Sequence, residues 1–85
     1  MFRPPPVFLA RNAEVLRPRV MGENGEHLRF ALREGNVTWE VVAFRQGERA
    51  PVEGSRVDAV FTLGMDWWHG AEVLSLRVLD FRLSS

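Results

Sequence analysis

The stretch EHLRFALREGNVTWEVVAF, residues 26–44, decides the fold that the sequence predicts. Two alternating, strand-like runs flank Gly35-Asn36, and a two-residue connection with glycine first is typical of a type II′ β-hairpin. Counting outward from this turn places a largely apolar ladder on one side of the hairpin. The predicted pairs on that side are Glu34 with Val37, Leu32 with Trp39, Phe30 with Val41 and Leu28 with Ala43.

The other side of this hairpin carries its polar residues. The predicted pairs there are Arg33 with Thr38, Ala31 with Glu40 and Arg29 with Val42. A slip of one residue would turn both arginines into the core, so turn chemistry and face pattern agree on one register. Trp39 is then predicted to be a core residue.

Strand-like runs and turn signals continue on both sides of the hairpin. A first strand at about Ala13–Met21 contains Pro18, which a central strand does not accept, so we expect a bulge or an edge position there. Gly22–Gly25 forms the next turn. The segment Arg45–Gly54 is broken by two glycines and a proline and has room for at most one helical turn.

Two further strands are predicted in the second half of the chain, at about Arg56–Leu63 and Ala71–Leu83. In the first of these the residues expected to face the core are Val57, Ala59, Phe61 and Leu63, and those expected to face outward are Arg56, Asp58 and Thr62. In the second, Leu79 and Phe81 change the parity set by Leu74, Leu76 and Val78, which indicates a bulge or a sheet corner.

Five short strands with little or no helix predict an all-β, five-stranded Greek-key barrel similar to the oligonucleotide/oligosaccharide-binding (OB) fold. The 85 residues have room for one domain. Residues 1–10, which contain three consecutive prolines, are expected to be a linker, and 11–85 the OB domain.

Composition excludes several classes of protein. The chain has no cysteine, so disulfides, thiol chemistry and Cys-ligated zinc are ruled out. No stretch has the ~20 apolar residues that span a bilayer, and there is no signal-peptide pattern, so we expect a cytoplasmic protein with no membrane partner. Eleven acidic residues balance eleven arginines, so any contact with a polyanion must come from a local basic surface.

The run Asp66-Trp67-Trp68-His69-Gly70 is the main candidate site. On an OB frame, ligands bind over strands 2 and 3 and against the loops that join strands 1 to 2 and 4 to 5. The run would lie in the second of these loops, where indoles can stack on bases of a single strand. Either tryptophan could instead be core, and neighbouring extended residues point opposite ways, so one is expected inside and one exposed. Gly70 is expected to serve turn geometry.

Arginines are predicted beside this loop. The polar, ligand-binding face of strand 2 would carry His27, Arg29 and Arg33. Glu40 would lie among them and partly neutralise their positive charge. Solvent-facing arginines need no function, which is the alternative interpretation. Catalysis is not predicted, because the two histidines are far apart and the three aspartates form no cluster.

The whole chain resembles the OB domain of RecJ-type single-strand-specific DNA exonucleases. The resemblance rests on the ordered segments Pro6-Val7-Phe8, His27–Phe30, Ala43–Arg49, Val57–Phe61, Trp68-His69-Gly70 and Leu74–Phe81. In that family a strand-ending Ala-Phe, a Trp-x-Gly and an Asp-hydrophobic pair recur, which here fall on Ala43-Phe44, Trp68-x-Gly70 and Asp80-Phe81.

The resemblance implies a non-catalytic module that binds single-stranded DNA for a separate catalytic domain. The parent would be a single-strand-specific 5′–3′ exonuclease of DNA repair and recombination, with manganese or magnesium held only in that other domain. The predicted DNA-binding residues are Arg29, Arg33, Arg45, Trp67, Trp68 and His69, with Arg17 and Arg19 as secondary candidates.

Two other hypotheses stay open. The chain could be a docking module that packs on the parent nuclease or a repair partner, with the two tryptophans as interface anchors. It could be a free-standing hydrolase only if a metal site assembled between chains.

Overall fold

A computed structural model describes residues 6–68 and 70–84, with the side chains of 66–68 and 73 excepted. The described part is almost entirely β-structure. The elements are β1 (Val7–Met21), β2 (His27–Glu34), β3 (Val37–Ala43), the 3-10 turn η1 (Gly47–Arg49), β4 (Arg56–Trp68) and β5 (Ala71–Leu83).

The strands close into a barrel in the order β1-β2-β3-β5-β4. All neighbours are antiparallel except β3 and β5, which are parallel and pair only at Val41 with Leu76 and at Val42 with Arg77. The predicted all-β, five-stranded barrel is therefore confirmed. Because the barrel closes, β1 and β4 each have a partner on both sides.

The β2–β3 hairpin has the predicted register at every pair, from Leu28 with Ala43 to Glu34 with Val37. Gly35 has a φ of +60°, and Asn36 does not have a positive φ, which is the pattern of a type II′ turn. The apolar side of the hairpin faces the barrel interior. The largest fully buried side chains are Phe30, Leu28, Leu32, Val15, Val41 and Val57.

Two bulges bend β1 so that it reaches both β2 and β4. One lies between Leu16 and Arg19, at the predicted position of Pro18, and the other lies between Ala10 and Ala13. At each bulge a non-glycine residue has a left-handed backbone, Arg17 with φ +50° and Asn12 with φ +53°. Carboxylates accept both displaced N–H groups. Glu53 Oε1 accepts that of Arg17 at 2.9 Å, and Asp58 Oδ1 accepts that of Asn12 at 2.8 Å.

The first strand begins at Val7, six positions earlier than the sequence predicted. Residues 7–10 pair with β4, and Ala10 is fully buried in the core, so the expected linker does not extend to residue 10. Thr62 has the predicted outward orientation, opposite to that of the core residue Phe61, but the beginning of β1 covers it. Thr62 is only 8% exposed, and its hydroxyl donates a 2.6 Å hydrogen bond to the Pro6 carbonyl oxygen.

The fourth strand is longer than predicted, because its backbone continues to Trp68. Trp67 pairs with Glu72 and Trp68 pairs with Ala71, so the backbone of both tryptophans belongs to the β4–β5 ladder and not to the expected loop. Gly70, with φ +80°, serves turn geometry as predicted. The fifth strand has the predicted bounds, and its bulge lies at Leu79. Leu79, the additional residue at this bulge, is 53% exposed.

The connection between β3 and β4 contains the single 3-10 turn η1, which confirms a segment too broken for a longer helix. No helix within residues 6–68 and 70–84 could cross a membrane.

Candidate functional site

The outer surface of the sheet carries two arginines in one row across three strands. Arg29 of β2 pairs with Val42 of β3, and Val42 pairs with Arg77 of β5. Paired residues share one face of a sheet, and strands lie about 4.8 Å apart, so the two arginines begin about 10 Å apart on the outside of the barrel. This row, together with His27 and Phe44 beside it, is called the outer strip below.

Phe44 is the aromatic residue of the outer strip. It follows the last residue of β3, Ala43, whose side chain is fully buried, and is itself 40% exposed. The Arg77 guanidinium carbon lies over its ring, 5.2 Å from the centroid. The His27 imidazole meets the ring edge-on, with centroids 5.2 Å apart and planes at 79°. Residues from β2 and β5 therefore hold the Phe44 ring from two sides.

Arg77 lies flat on its neighbouring strand because Gly64 has no side chain. A Cβ at Gly64 would lie 2.2 Å from Arg77 Nε and 2.8 Å from its Cζ. The guanidinium crosses this position, and its Nη2 donates a 3.0 Å hydrogen bond to the Met65 carbonyl oxygen. The arginine is thereby directed along the surface toward Phe44.

His27 also determines the path of the chain after Phe44. Its Nδ1 accepts a 3.2 Å hydrogen bond from the backbone N–H of Arg45, which has a left-handed backbone with φ +61°. This conformation is uncommon for a non-glycine residue, and such positions are concentrated at functional sites. Glu26 Oε1 lies 3.7 Å from His27 Nε2 on the other side of the ring.

An apolar cleft opens at the other end of β3, where β3 and β5 diverge. The cleft has a volume of about 380 Å³ and is lined by Phe8, Leu9, Trp39, Phe61, Leu63 and Leu76. The Phe61 ring contacts Phe8 and Trp39, at centroid distances of 5.7 Å and 5.4 Å. Trp39 is thus only partly buried, at the margin of the core.

Comparison with known proteins identifies the family. The family model described as the RecJ OB domain matches residues 2–80. The chain belongs to the RecJ OB domain family. A curated relative, the single-stranded-DNA-specific exonuclease RecJ of Bacillus subtilis (strain 168), is 28% identical over 86 residues. The match covers 99% of this chain and 11% of that relative, so the chain spans about a ninth of its length.

A solved structure shares the fold of this RecJ OB domain. It is the crystal structure of a small single-stranded DNA-binding protein from Streptomyces coelicolor, with a TM-score of 0.56 and 16% sequence identity. The match covers 94% of each chain. Together with the strand order of the barrel, it confirms the predicted OB fold.

The structure brings some predicted site residues of the RecJ OB domain together and separates others. Arg29, half-buried, lies in the outer strip, and Arg45 directly follows Phe44. Arg19 lies opposite Arg29 on β1 and is exposed. Among the described side chains, which exclude that of Asp66, no acidic group forms an ion pair with Arg19 or Arg45.

Arg33 and Arg17 are paired with acidic side chains. Arg33 forms an ion pair with Glu14 across the β1–β2 pairing, and it lies four residues, or about 13 Å, along β2 from Arg29. Arg17 pairs with Glu40 at 2.7 Å. The predicted neutralisation by Glu40 therefore falls on Arg17, in the bulge between Leu16 and Arg19. These exposed pairs are weak, but they reduce the positive charge at this end of the sheet.

The remaining predicted residues cannot be placed in this site. His69 and the side chains of Trp67 and Trp68 lie outside the described residues, so the expectation that one indole is exposed stays a prediction. In the described part of the chain, no three His, Cys, Asp or Glu side chains could share a metal ion.

Sequence reasoning missed Phe44 and Arg77 as site residues. In the sequence they were considered only within the segments that resemble the RecJ OB family, Ala43–Arg49 and Leu74–Phe81. Alternation along β3 places Phe44 just beyond Ala43, at the strand end, where face assignment is weak. Arg77 could be placed beside it only with the β3–β5 pairing, which joins residues 35 positions apart at Val42 and Arg77.

Proposed function

We propose that this RecJ OB domain is a non-catalytic module that binds single-stranded DNA on its outer strip. The observation that carries the proposal is the convergence of Arg29 and Arg77 with the exposed Phe44 ring on the outer surface of β2, β3 and β5. Guanidinium groups bind phosphates, and aromatic rings stack on bases without reading sequence. The names of the Bacillus relative and of the Streptomyces neighbour support the same ligand.

The module would hold substrate for a catalytic domain of a RecJ-type exonuclease, in which manganese or magnesium supports hydrolysis. Because the match covers 11% of the Bacillus relative, most of such a nuclease lies outside the matched part. The local basic surface explains how a chain with no net charge could bind a polyanion.

Fluorescence anisotropy of a labelled dT oligonucleotide tests the proposal. We expect binding at low salt that weakens as salt is raised, and weaker competition from a duplex of equal length. Arg29→Gln should reduce the slope of log affinity against log salt by about 0.7, because one phosphate contact is lost. Arg82→Gln, which removes an 81% exposed arginine beside Asp58, is the matched control and should leave the slope unchanged. No binding by the wild-type chain at low salt would refute the proposal.

A second function, docking on the catalytic region of the parent nuclease, is favoured by the apolar cleft. Two cross-strand neighbours on the β4–β5 hairpin beyond the barrel are exposed, Met65 by 54% and Leu74 by 65%. Exposed apolar side chains beside an open cleft are typical of interaction surfaces. Leu74→Glu should abolish association with a separately expressed RecJ catalytic region and leave dT affinity unchanged. Retained association would contradict docking at this cleft.

A further inference from the structure

Phe44 is a large apolar side chain that does not belong to the core. It lies in the turn that follows β3, where Arg45 has a left-handed backbone, and the side chain of the preceding residue, Ala43, is fully buried. Burial of an aromatic ring normally contributes to stability, but Phe44 keeps 40% of its surface in contact with solvent. Its position on the outer strip therefore needs an explanation other than core packing.

The surroundings of the ring hold it in one orientation. Arg77 lies over the ring and is itself held by the Met65 carbonyl above Gly64, and His27 contacts the ring from β2. The Arg45 N–H bond to His27 holds the next residue in the chain. A side chain fixed in this way loses little conformational entropy when a ligand packs on it.

The charges around the ring determine the class of ligand. Arg77 lies on it, Arg45 follows it, and Arg29 lies about 10 Å from Arg77 in the same row. A flat apolar surface between guanidinium groups suits a chain that alternates aromatic rings and phosphates. Such rings are accessible only when they are unpaired, which favours a single strand over a duplex.

We propose that Phe44 is a base-stacking residue of this domain, on whose exposed surface one unpaired nucleobase packs while Arg29 and Arg45 contact the neighbouring phosphates. This inference rests on the proposed function, and it assigns the stacking role to a residue outside the two tryptophans. Phe44 then supplies affinity that depends on bases, and the arginines supply affinity that depends on salt.

The test separates bases from phosphates. Affinities are measured for a dT oligonucleotide and for an oligonucleotide of equal length and charge made of abasic residues. Phe44→Leu should weaken dT binding by about 5- to 100-fold, leave abasic binding within twofold and leave the salt slope unchanged. Phe44→Trp should retain dT affinity. The matched control is Phe8→Leu, which removes an aromatic ring of similar exposure, 42%, from the apolar cleft and should change neither affinity.

The outcomes distinguish this inference from the function on which it rests. If the wild-type chain binds neither oligonucleotide, the proposed function fails. If it binds dT and Phe44→Leu binds dT equally well, or loses equal affinity for both oligonucleotides, the stacking role is refuted.

A second measurement needs no variant, in case Phe44→Leu does not fold. A dT oligonucleotide carrying 5-iodouracil is photo-crosslinked to the wild-type chain at saturation, and the crosslinked peptide is identified by mass spectrometry. We expect a crosslink at Phe44. Crosslinks confined to other residues, or no crosslink, would overturn the assignment.

Discussion

The Arg49 guanidinium lies over the ring of Phe81, 4.5 Å from its centroid, and its Nη2 donates a 2.6 Å hydrogen bond to the Phe81 carbonyl oxygen. The other nitrogen, Nη1, donates to Asp80 Oδ1 at 2.8 Å and to Gln46 Oε1 at 3.1 Å. Phe81 is a core residue, only 7% exposed. One side chain thus attaches the 3-10 turn η1 to the end of β5.

Arg49→Ala should lower the free energy of unfolding by about 1 to 2 kcal/mol, because several charge-assisted hydrogen bonds are lost at a half-exposed site. Arg49→Lys should lower it by a smaller amount, because lysine keeps the charge but lacks the planar fork. Urea unfolding at constant m-value measures both. Arg82→Ala is the control and should stay within about 0.5 kcal/mol. An Arg49→Ala midpoint equal to that of the control would contradict a stabilising role.

Gly64→Ala should reduce dT affinity about two- to fivefold, while the fold persists. The new Cβ would lie 2.2 Å from Arg77 Nε, so the flexible arginine must leave its position and loses its contact with Phe44. The backbone at Gly64 is not left-handed, so alanine fits it and the unfolding free energy should change by less than about 1 kcal/mol. Anisotropy and urea unfolding measure the two quantities. Thr38→Ala on β3 is the control. Equal dT affinities of the Gly64→Ala and Thr38→Ala variants would contradict the prediction.

His27→Phe should increase amide hydrogen exchange at Arg45, because phenylalanine keeps the edge contact with Phe44 but cannot accept the Arg45 N–H bond. His27→Asn should restore part of the protection, since its side-chain oxygen can accept from a position close to that of Nδ1. Exchange is followed by NMR, with the Thr38 amide as an internal reference. Protection of Arg45 in His27→Phe equal to that in the wild type would show that the bond does not order this segment.

The domain should lose stability in acid partly through Asp58 and Asp80. The hydrogen bond from the Asn12 backbone N–H, together with that from the Ser84 hydroxyl, lowers the pKa of Asp58 below its ordinary value of 3.8. The bond from Arg49 lowers the pKa of Asp80 in the same way. The unfolded chain then binds more protons between the folded and unfolded pKa values, so this stabilisation is present above about pH 3.8 and is lost as pH falls through the lower, folded values.

Urea midpoints measured between pH 7 and pH 2 test this contribution. The double variant Asp58→Asn, Asp80→Asn should lose less stability than the wild type on acidification, because two of the titrating groups are absent. A variant that replaces the exposed Glu23 and Glu48 by glutamine serves as the control and should follow the wild-type profile. Parallel profiles for the aspartate variant and the wild type would exclude these two carboxylates as a source of acid sensitivity.

Local signals account for the parts of the fold that could be predicted. The register of the β2–β3 hairpin follows from a glycine-first turn and alternation over the following residues, and both act within a few positions. Pro18 predicted the bulge in β1, because a proline cannot donate a ladder hydrogen bond and this effect is local to its position. The strand β5 was bounded correctly by Gly70 and by its apolar pattern.

The predictions from sequence were wrong at positions where segments that are distant in the chain pack together. The backbone of Trp67 and Trp68 belongs to β4 because the β5 residues opposite supply pairing, while composition alone suggested a loop. Thr62 is buried because the beginning of β1 covers it, and the residues of that beginning were assigned to a linker.

By itself the sequence determined an all-β chain, the register of its central hairpin and the bulge at Pro18, because each depends on residues close together in the chain. The closed barrel and the outer strip were decided by the tertiary structure. Phe44 and Arg77 meet only because β3 and β5 pair over two residues, and Arg77 reaches Phe44 only because it can cross Gly64. Such contacts depend on the free energy of closing a whole sheet, which no local pattern encodes.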